Sequence, residues 1–457
     1  MAKKQSKDAM VDEVIFALDL ILCENDNNFI AESASWILFK HPPADGWRPL
    51  EQPPLMLVGR AAYESGALQK KTTLIASSRL PKNLESHATW FDAIRTIGAR
   101  LAPDTHALLT ATGMAADPYA RRIATLFDID LIEAQLISPD QLRTSADLKH
   151  DTDKVFFIYE REPDSPDAQL INMANTVHAL AVRRGGNVHQ AIATRLQNQP
   201  TPPVRLLSNS TLTKTKTKTE LLELGAIDWI LLANEDDPSQ ENDPSQENDA
   251  AKQMSATVPL DSIEQSQYLL HWARRQSNAW PDQEKDAHLD QLIFGSAVDR
   301  YQEVMTLCRI IASNRLIGAA HLTRDPAPVV CFTAVPLGEL PKRTVFRKHL
   351  ARWDFVPYGL AIRKSVLQSA GCKEVIYGDD SDWETLSKED RPWFQLKKSR
   401  NGKIDWTQEH EWRLQGDLDL SKIGADDAFA FVKTHADARR LAGICRWPIV
   451  VLYPTGL

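Results

Sequence analysis

The stretch that decides the fold of the first half of the chain is residues 177–196, VHALAVRRGGNVHQAIATRL. An apolar run enters Arg183-Arg184-Gly185-Gly186, and a helical pattern of apolar positions begins just after Asn187. A strand that enters a helix through a short glycine-containing turn is the repeating unit of a parallel sheet covered by helices.

The same alternation recurs throughout the chain before residue 235. The predicted strands are Pro54–Val58, Thr72–Ser77, His106–Thr112, Val155–Tyr159, Val177–Val182, Val204–Leu207 and Trp229–Leu232. The predicted helices are His87–Leu101, Tyr119–Phe127, Val188–Leu196 and Thr219–Leu224. This pattern predicts an α/β module with a mostly parallel sheet that has helices on both faces.

The clearest boundary in the sequence is compositional. From Glu235 to Asp249 there are seven acidic residues and no basic one, and the hexapeptide DPSQEN occurs twice in tandem. Such a segment cannot bury enough apolar surface to offset the entropy of ordering it, so we expect a flexible acidic linker. We therefore divide the chain into a first module at residues 1–235, a linker at 236–256 and a second domain at 257–457.

The second domain has a different pattern. Two predicted helices, Leu260–Arg275 and Val298–Asn314, precede short strands rich in aromatic residues. These strands are Val329–Phe332, Tyr358–Ile362, Val375–Tyr377, Trp393–Leu396, Glu409–Leu414 and Pro448–Leu452. Short strands with few helices between them favour a smaller α+β domain.

Composition excludes several classes of protein. The chain is 43% hydrophobic and 25% charged, which is globular, and no apolar run approaches the ~20 residues that cross a bilayer. Its five scattered cysteines fit a reducing compartment and neither a disulfide framework nor a thiolate zinc site. We therefore expect a cytoplasmic protein that binds no membrane and holds no metal. Residues 291–457 have 24 basic against 20 acidic side chains, whereas the whole chain has a net charge of −8, so the two halves suit different partners.

Three strand ends in the first module carry residues suited to binding phosphate. Ligands of open parallel sheets bind at the carboxyl ends of the strands, where glycines allow close approach and helix N-termini attract anions. The candidate nucleotide-binding residues are Ser78, Arg79, Gly113, Asp117, Arg183, Gly185, Gly186 and Asn187. The alternative for each loop taken alone is an ordinary tight turn.

The order of these three elements resembles that of the SLOG superfamily of Rossmann-like folds, which includes LOG-type phosphoribohydrolases and the DNA-processing protein A family. Ser78-Arg79, Gly113 with Asp117, and Gly185-Gly186-Asn187 correspond to the three motifs, and the resemblance covers roughly residues 50–235. It implies a Rossmann-like sheet that binds a nucleotide or nucleic acid. The glutamates of the LOG catalytic loop are absent, so the resemblance implies binding or sensing rather than catalysis.

In the second domain, WTQEHEWR at residues 406–413 is the most unusual segment. On a strand, Glu409 and Glu411 would share one face, and two adjacent carboxylates suit acid/base work. We expect Thr333 and Tyr358, beside predicted strands, to converge on them as catalytic residues. The alternative is a solvated edge strand on which Glu411 pairs with Arg413.

A basic stretch at residues 342–349 includes Lys342, Arg343, Arg347 and Lys348, and these could hold a phosphate-rich ligand. The alternative is one charged, solvated face.

The spaced elements VVCFTAVPL, PYGLAI, EVIYGD and WTQEHEWR, over roughly residues 295–455, resemble the AbiGi-like proteins encoded near phage-defence genes. The Glu-x-Glu is also similar to the biglutamate motif of ADP-ribosyltransferases. These resemblances imply an antiviral-defence or stress protein, in the sense of abortive infection, whose first module senses a nucleotide or nucleic acid. The second domain would be an effector, with a nucleotide- or NAD-directed transferase or glycosylase activity as one possible chemistry. The alternative is a non-enzymatic DNA- or RNA-binding adaptor or recognition subunit. A nucleotide is a possible cofactor, and the partner proteins are unknown.

Overall fold

The computed structural model divides the chain into two compact units. The first comprises Met1–Asp236 with Glu284–Gly295, and the second comprises Asp237–Gln283 with Ser296–Leu457. The described residues are 7–18, 20–22, 29–41, 47, 54–80, 88–138, 141, 153–159, 165–198, 203–231, 257–275, 279–280, 282–295, 303–320, 323–347, 352–399 and 404–453. The predicted linker at 236–256 lies outside them.

The first unit contains the predicted alternation of strands and helices. Its strands are β1 Ile21–Leu22, β2 Phe29–Glu32, β3 Trp36–Phe39, β4 Leu55–Gly59, β5 Lys71–Ser77, β6 His106–Ala111, β7 Asp130–Ile137, β8 Val155–Ile158, β9 Thr176–Ala181, β10 Val204–Leu207 and β11 Ile227–Trp229. Its helices are α1 Lys7–Leu18, α2 Arg60–Glu64, α3 Ala88–Arg100, α4 Asp117–Leu126, α5 Pro166–Met173, α6 Asn187–Asn198, α7 Thr215–Glu223 and α8 Lys285–Phe294.

These strands form one sheet in the order β1-β2-β3-β4-β8-β7-β6-β5-β9-β10-β11. The run from β8 to β11 is parallel throughout, and β1 to β4 extend it in antiparallel fashion. The prediction of a mostly parallel α/β module is confirmed.

Helices cover both faces of this sheet. On one face, alternate residues such as Leu74, Val177 and Leu206 pack in a single apolar cluster with residues of α5, α6 and α7. On the other face, α3 contacts β9, and α3, α4 and α8 pack on one another. A strand covered on both faces has buried, mostly apolar residues at successive positions. In β9, five of the six residues are buried.

The second unit is built on a smaller sheet, which agrees with the predicted fold class. Its strands are β12 Tyr268–Trp272, β13 Arg315–Leu316, β14 Val329–Thr333, β15 Val345–Arg347, β16 Arg352–Asp354, β17 Gly359–Arg363, β18 Lys373–Glu374, β19 Ile376–Gly378, β20 Phe394–Leu396, β21 Glu411–Gln415, β22 Leu418–Asp419, β23 Ala428–Val432 and β24 Ile449–Val451. Its helices are α9 Glu303–Ser313, α10 Leu340–Arg343, α11 Lys364–Ser369, α12 Asp380–Thr385 and α13 His435–Leu441.

Within the described residues, seven of these strands form a sheet in the order β18-β21-β14-β12-β17-β23-β24, antiparallel except for the β23–β24 pair. One face packs against apolar residues of α9, α11 and α13, among them Leu307, Leu367 and Leu441. The other face carries a second cluster that includes Trp272 and Phe431.

Two sequence predictions about these elements are wrong. The predicted helix Leu260–Arg275 is instead two short 3₁₀ turns followed by β12, in which residues of both faces are buried. The helix predicted to begin at Thr219 begins at Thr215, because the alternating TKTKT segment continues the helix with Thr217 on its buried side. In the described part of the chain, no helix has both the length and the apolarity to cross a membrane.

Candidate functional site

The order of the parallel strands reverses between β5 and β9. From β5 the chain proceeds through β6 and β7 to β8 on one side, and it then returns to place β9 on the other side of β5. Open α/β sheets bind ligands in the crevice beyond the carboxyl ends of the strands at such a switch point. The loops after β5 and β9 therefore flank the position where a ligand is expected.

The loops after β5 and β9 are joined directly. The Ser78 amide donates to the Ala181 carbonyl at 2.7 Å, and the Arg183 amide donates to Ser78 Oγ at 3.0 Å. Two of the three predicted loops are therefore in hydrogen-bonded contact, and this contact holds Ser78 beside the start of the Arg183–Asn187 turn.

The Arg183–Asn187 turn is tight because of its glycines. Gly185 has a φ of +73°, which L-residues with side chains avoid, and a Cβ added there would meet no heavy atom within 4 Å. The Gly186 amide donates to the Arg183 carbonyl at 3.1 Å, which closes the turn. The backbone at Gly185 is thus open on its outer side, at the start of α6.

The first turn of α6 carries no acidic residue, so nothing in it offsets the positive end of the helix dipole. Arg79 and Arg183 are both exposed, and neither forms an ion pair within the described residues. Arg184, in contrast, lies with its Nε 3.4 Å from Glu220 Oε2 of α7. Within the described residues, both predicted arginines are therefore without an ion pair, whereas Arg184 between Arg183 and Gly185 is held by Glu220.

The third predicted loop follows β6, next to β5, but its polar residue is already engaged. Asp117 is buried in the first turn of α4 and accepts hydrogen bonds from Thr110 Oγ1 at 3.0 Å and from Arg121 Nε at 2.8 Å. Arg121 also pairs with Glu133. An anion at this helix end would meet a carboxylate, so Asp117 acts as a structural anchor of the β6–α4 turn. Gly113, with a φ of +94°, faces open space.

A residue that sequence reasoning missed lies near Arg79. Asp167, in the first turn of α5, is half-buried, and its Oδ1 atom is buried with no hydrogen-bond partner among the described residues. Burial raises the pKa of this carboxyl group to about 6, and the positive charge of Arg79 lowers it by a smaller amount. The Ser165-Pro166-Asp167 helix start after β8 was the signal that could have placed Asp167 at a strand end.

In the second unit, Glu409 and Glu411 do not share a strand face, and that prediction is wrong. Glu409 ends a 3₁₀ turn at Trp406–Glu409, His410 has a φ of +44°, and β21 begins only at Glu411. The left-handed residue between them breaks the two-residue alternation on which the predicted pairing depended.

Glu411 instead forms a buried ion pair with Arg413, two residues along β21. The Glu411 side chain is 13% exposed and that of Arg413 is 2% exposed. Arg413 Nε and Nη2 donate to the two carboxylate oxygens of Glu411 at 2.9 and 3.1 Å. The other N–H groups of Arg413 donate to the Pro392 and Phe394 carbonyls and to the Gln395 side chain.

The two remaining predicted catalytic residues do not converge on Glu411 together. Thr333 is opposite Glu411 in the sheet, and its hydroxyl donates to the Glu409 carbonyl at 2.5 Å. Tyr358 packs against the apolar cluster on the opposite face of this sheet, and its hydroxyl donates to Asp437 Oδ2 at 3.2 Å. Burial, followed by the negative charge of Asp437, raises the pKa of Tyr358.

The basic stretch is split between α10 and the β15–β16 hairpin. Lys342 is exposed, whereas Arg343 donates to Glu339 Oε2 and to the Gln408 carbonyl, both at 2.7 Å. Arg347 ends β15, and Lys348 lies outside the described residues. Arg343 is therefore part of the fold of this unit rather than an open phosphate contact.

The sequence matches no protein-family model, and a search of curated proteins gives no match. Among solved structures, the chain aligns with DNA processing protein A from Helicobacter pylori, which was solved to describe its single-stranded DNA binding mode. The alignment has 12% sequence identity and a TM-score of 0.29, and it covers 42% of this chain and 90% of that chain. The resemblance of residues 295–455 to the AbiGi-like proteins stays a prediction.

Proposed function

We propose that the first unit binds the phosphate groups of a nucleotide or nucleic acid at the switch point between β5 and β9. The observation that supports this most directly is the placement of Ser78-Arg79 and Arg183–Asn187 on the two loops that flank the reversal of strand order. Charge-assisted hydrogen bonds from Arg79 and Arg183, with amides of the α6 N-terminus, are the chemistry that such a position supplies.

Asp167 adds a pH dependence to this proposal. At neutral pH the charge of its carboxylate repels a phosphate group at Arg79, whereas below its pKa of about 6 that repulsion disappears. We therefore expect oligodeoxythymidylate, whose phosphodiesters keep their charge over this range, to bind a few-fold more tightly at pH 5.5 than at pH 7.5.

The test compares two ligands and one control variant. ADP is titrated by calorimetry and labelled oligodeoxythymidylate by fluorescence anisotropy, each against the wild type and the Arg79→Gln/Arg183→Gln double variant. We expect the double variant to bind at least about tenfold more weakly, since charge-assisted bonds contribute more than 1 kcal/mol each. Arg184→Gln, in the same loop but paired with Glu220, is the matched control and should change binding little.

The outcomes separate the two classes of ligand. Binding of ADP with weak salt dependence favours a nucleotide, and binding of the oligonucleotide with steep salt dependence favours a nucleic-acid strand. Equal binding of both ligands by the wild type and the double variant would show that the switch point is not the site. The roles of the second unit as an effector and of the whole chain in antiviral defence stay predictions.

A second candidate surface is the β15–β16 hairpin of the second unit. Phe346 and Trp353 are 41% and 50% exposed and contact each other with ring centroids 5.3 Å apart. Exposed aromatic rings within a basic segment are typical of surfaces on which single-stranded bases stack. Trp353→Ala should then weaken oligonucleotide binding about tenfold without changing ADP binding, whereas an unchanged oligonucleotide affinity excludes this surface.

A further inference from the structure

The first unit contains a cavity of about 390 Å³ that is separate from the switch-point loops. Its lining residues belong to β9, β10 and β11, the C-terminal end of α3 and the amino end of β6, whereas the loops of the proposed phosphate site follow the carboxyl ends of β5 and β9. It is lined by Thr96, Ile97, Arg100, Leu101, His106, His178, Arg205 and Trp229. Its volume lies within the range of small-molecule sites.

The charge of the cavity is positive. None of its eight lining residues carries a carboxylate, and Arg100 and Arg205 form no ion pair within the described part of the chain. Lys71 lies close to His106, and its charge acts with burial, the larger cause, to lower the pKa of that imidazole. Cations without counter-ions around one concave surface attract a negatively charged ligand.

The protonation of His178 can be assigned from its neighbour. Its Nε2 atom lies 3.5 Å from Arg205 Nη1, and a guanidinium group can only donate, so Nε2 is the acceptor and the proton is on Nδ1. Burial, with the charge of Arg205 as a smaller cause, lowers the pKa of His178 to about 3, so the ring is neutral at physiological pH.

The Nδ1–H of His178 is therefore an unused donor. The residue is 8% exposed, and its Nδ1 atom is buried without a hydrogen-bond partner anywhere in the described residues. Because the Nδ1 atom is itself inaccessible, this donor lies behind the cavity surface and does not face a ligand. Trp229 packs edge-on against this ring with centroids 5.1 Å apart, and Ile97 adds an apolar wall.

The cavity thus combines cationic side chains with apolar and aromatic surface. We propose that it binds a small organic anion, a carboxylate or phosphate monoester attached to a planar ring. Arg100 and Arg205 would hold the charged group, and Trp229 would pack against the ring. This proposal is independent of the phosphate site at the switch point.

The test uses three ring compounds and ligand-detected NMR titration of the full chain. Benzoate and phenyl phosphate carry the two kinds of anionic group, and benzamide is the neutral counterpart of benzoate with nearly the same shape. We expect both anions to bind the wild type and benzamide to bind at least about tenfold more weakly, because it lacks the charge. The ratio of the two anion affinities then distinguishes a carboxylate from a phosphate ligand.

Two variants separate this cavity from the switch point. Arg205→Gln should weaken anion binding about tenfold and leave ADP binding unchanged, whereas Arg183→Gln should do the reverse. Benzamide binding as tightly as benzoate, or anion binding that Arg205→Gln leaves intact, would overturn the proposal.

Discussion

Arg413 in the second unit and Arg183 in the first show opposite uses of the same side chain. Arg413 is 2% exposed, and all five of its N–H donors have acceptors within its own unit. Arg183 is exposed and forms no ion pair in the described chain. A charge whose donors are all satisfied holds the fold together, whereas a positioned charge without a partner remains available to a ligand.

The largest expected effect concerns the satisfied charge. Arg413→Met should lower the free energy of unfolding of the second unit by about 3–5 kcal/mol, because it leaves Glu411 buried without its counter-charge. Urea unfolding that follows the transition of this unit measures the loss. Arg315→Met, which breaks an ion pair with Asp417 on the surface, is the control and should cost no more than about 1 kcal/mol.

A loss at Arg413 as small as that at Arg315 would contradict the comparison. Glu411 would then again be a candidate catalytic residue, because a carboxylate whose ion pair adds little to stability is free to act on a substrate. Glu411→Gln could then be assayed for loss of an activity.

The sequence could predict the partners of these charges only in part. The two-residue spacing of Glu411 and Arg413 on a strand already indicated that they could pair. It could not indicate the φ of +44° at His410 that removes Glu409 from the strand, because His410 is tied to a distant part of the sequence: the Ala334 amide donates to its carbonyl. The strand β12 could not be predicted either. Its YLLHW run is buried on both faces, and a short apolar run of this kind is equally compatible with a buried helix segment.

In the first unit, the strand–glycine–helix pattern was sufficient to predict the parallel sheet and the loops at its carboxyl edge. The order of the strands could not be predicted from the sequence, because nothing local in the sequence specifies that β9 returns to the side of β5. That return makes the loops of Ser78 and Arg183 neighbours. The sequence placed Asp117 in the correct loop. It could not show that the Asp117 carboxylate already accepts hydrogen bonds from Thr110 and Arg121, because those bonds depend on the three-dimensional contacts.

The second prediction concerns the turn that positions Arg183. Gly185→Ala should cost about 1–2 kcal/mol in the unfolding of the first unit, because a side chain disfavours the positive φ at this position even where space is open. Gly338→Ala, in open space without a positive φ, should cost less in the second unit. The loss of unfolding free energy for Gly185→Asn should lie between these two losses, since asparagine tolerates this conformation best among residues with side chains. An Ala variant as stable as the wild type would show that the turn is not held in this shape.

The third prediction concerns the carboxylate beside Arg79. The pKa of Asp167 is raised in the folded chain to about 6, so the protonated form is favoured on folding, and the wild type loses stability as the pH rises from about 4 through 6. Asp167→Asn should therefore gain about 1 kcal/mol at pH 7.5, after allowance for solvent screening, and nothing at pH 4. Unfolding curves at the two pH values measure the difference. A gain of equal size at both would assign it to something other than ionisation.

The smallest expected effect completes the comparison with Arg413. Arg183→Gln should change the free energy of unfolding of the first unit by no more than about 0.5 kcal/mol, because an exposed charge without an ion pair contributes little to the fold. The measurement is urea unfolding of the same preparation whose ADP and oligonucleotide affinities are determined. Loss of affinity with unchanged stability is what a charge reserved for a ligand predicts. A fall in the unfolding free energy of more than about 1 kcal/mol would mean that the Arg183 guanidinium stabilises the turn. Its effect on binding would then be a consequence of the altered loop.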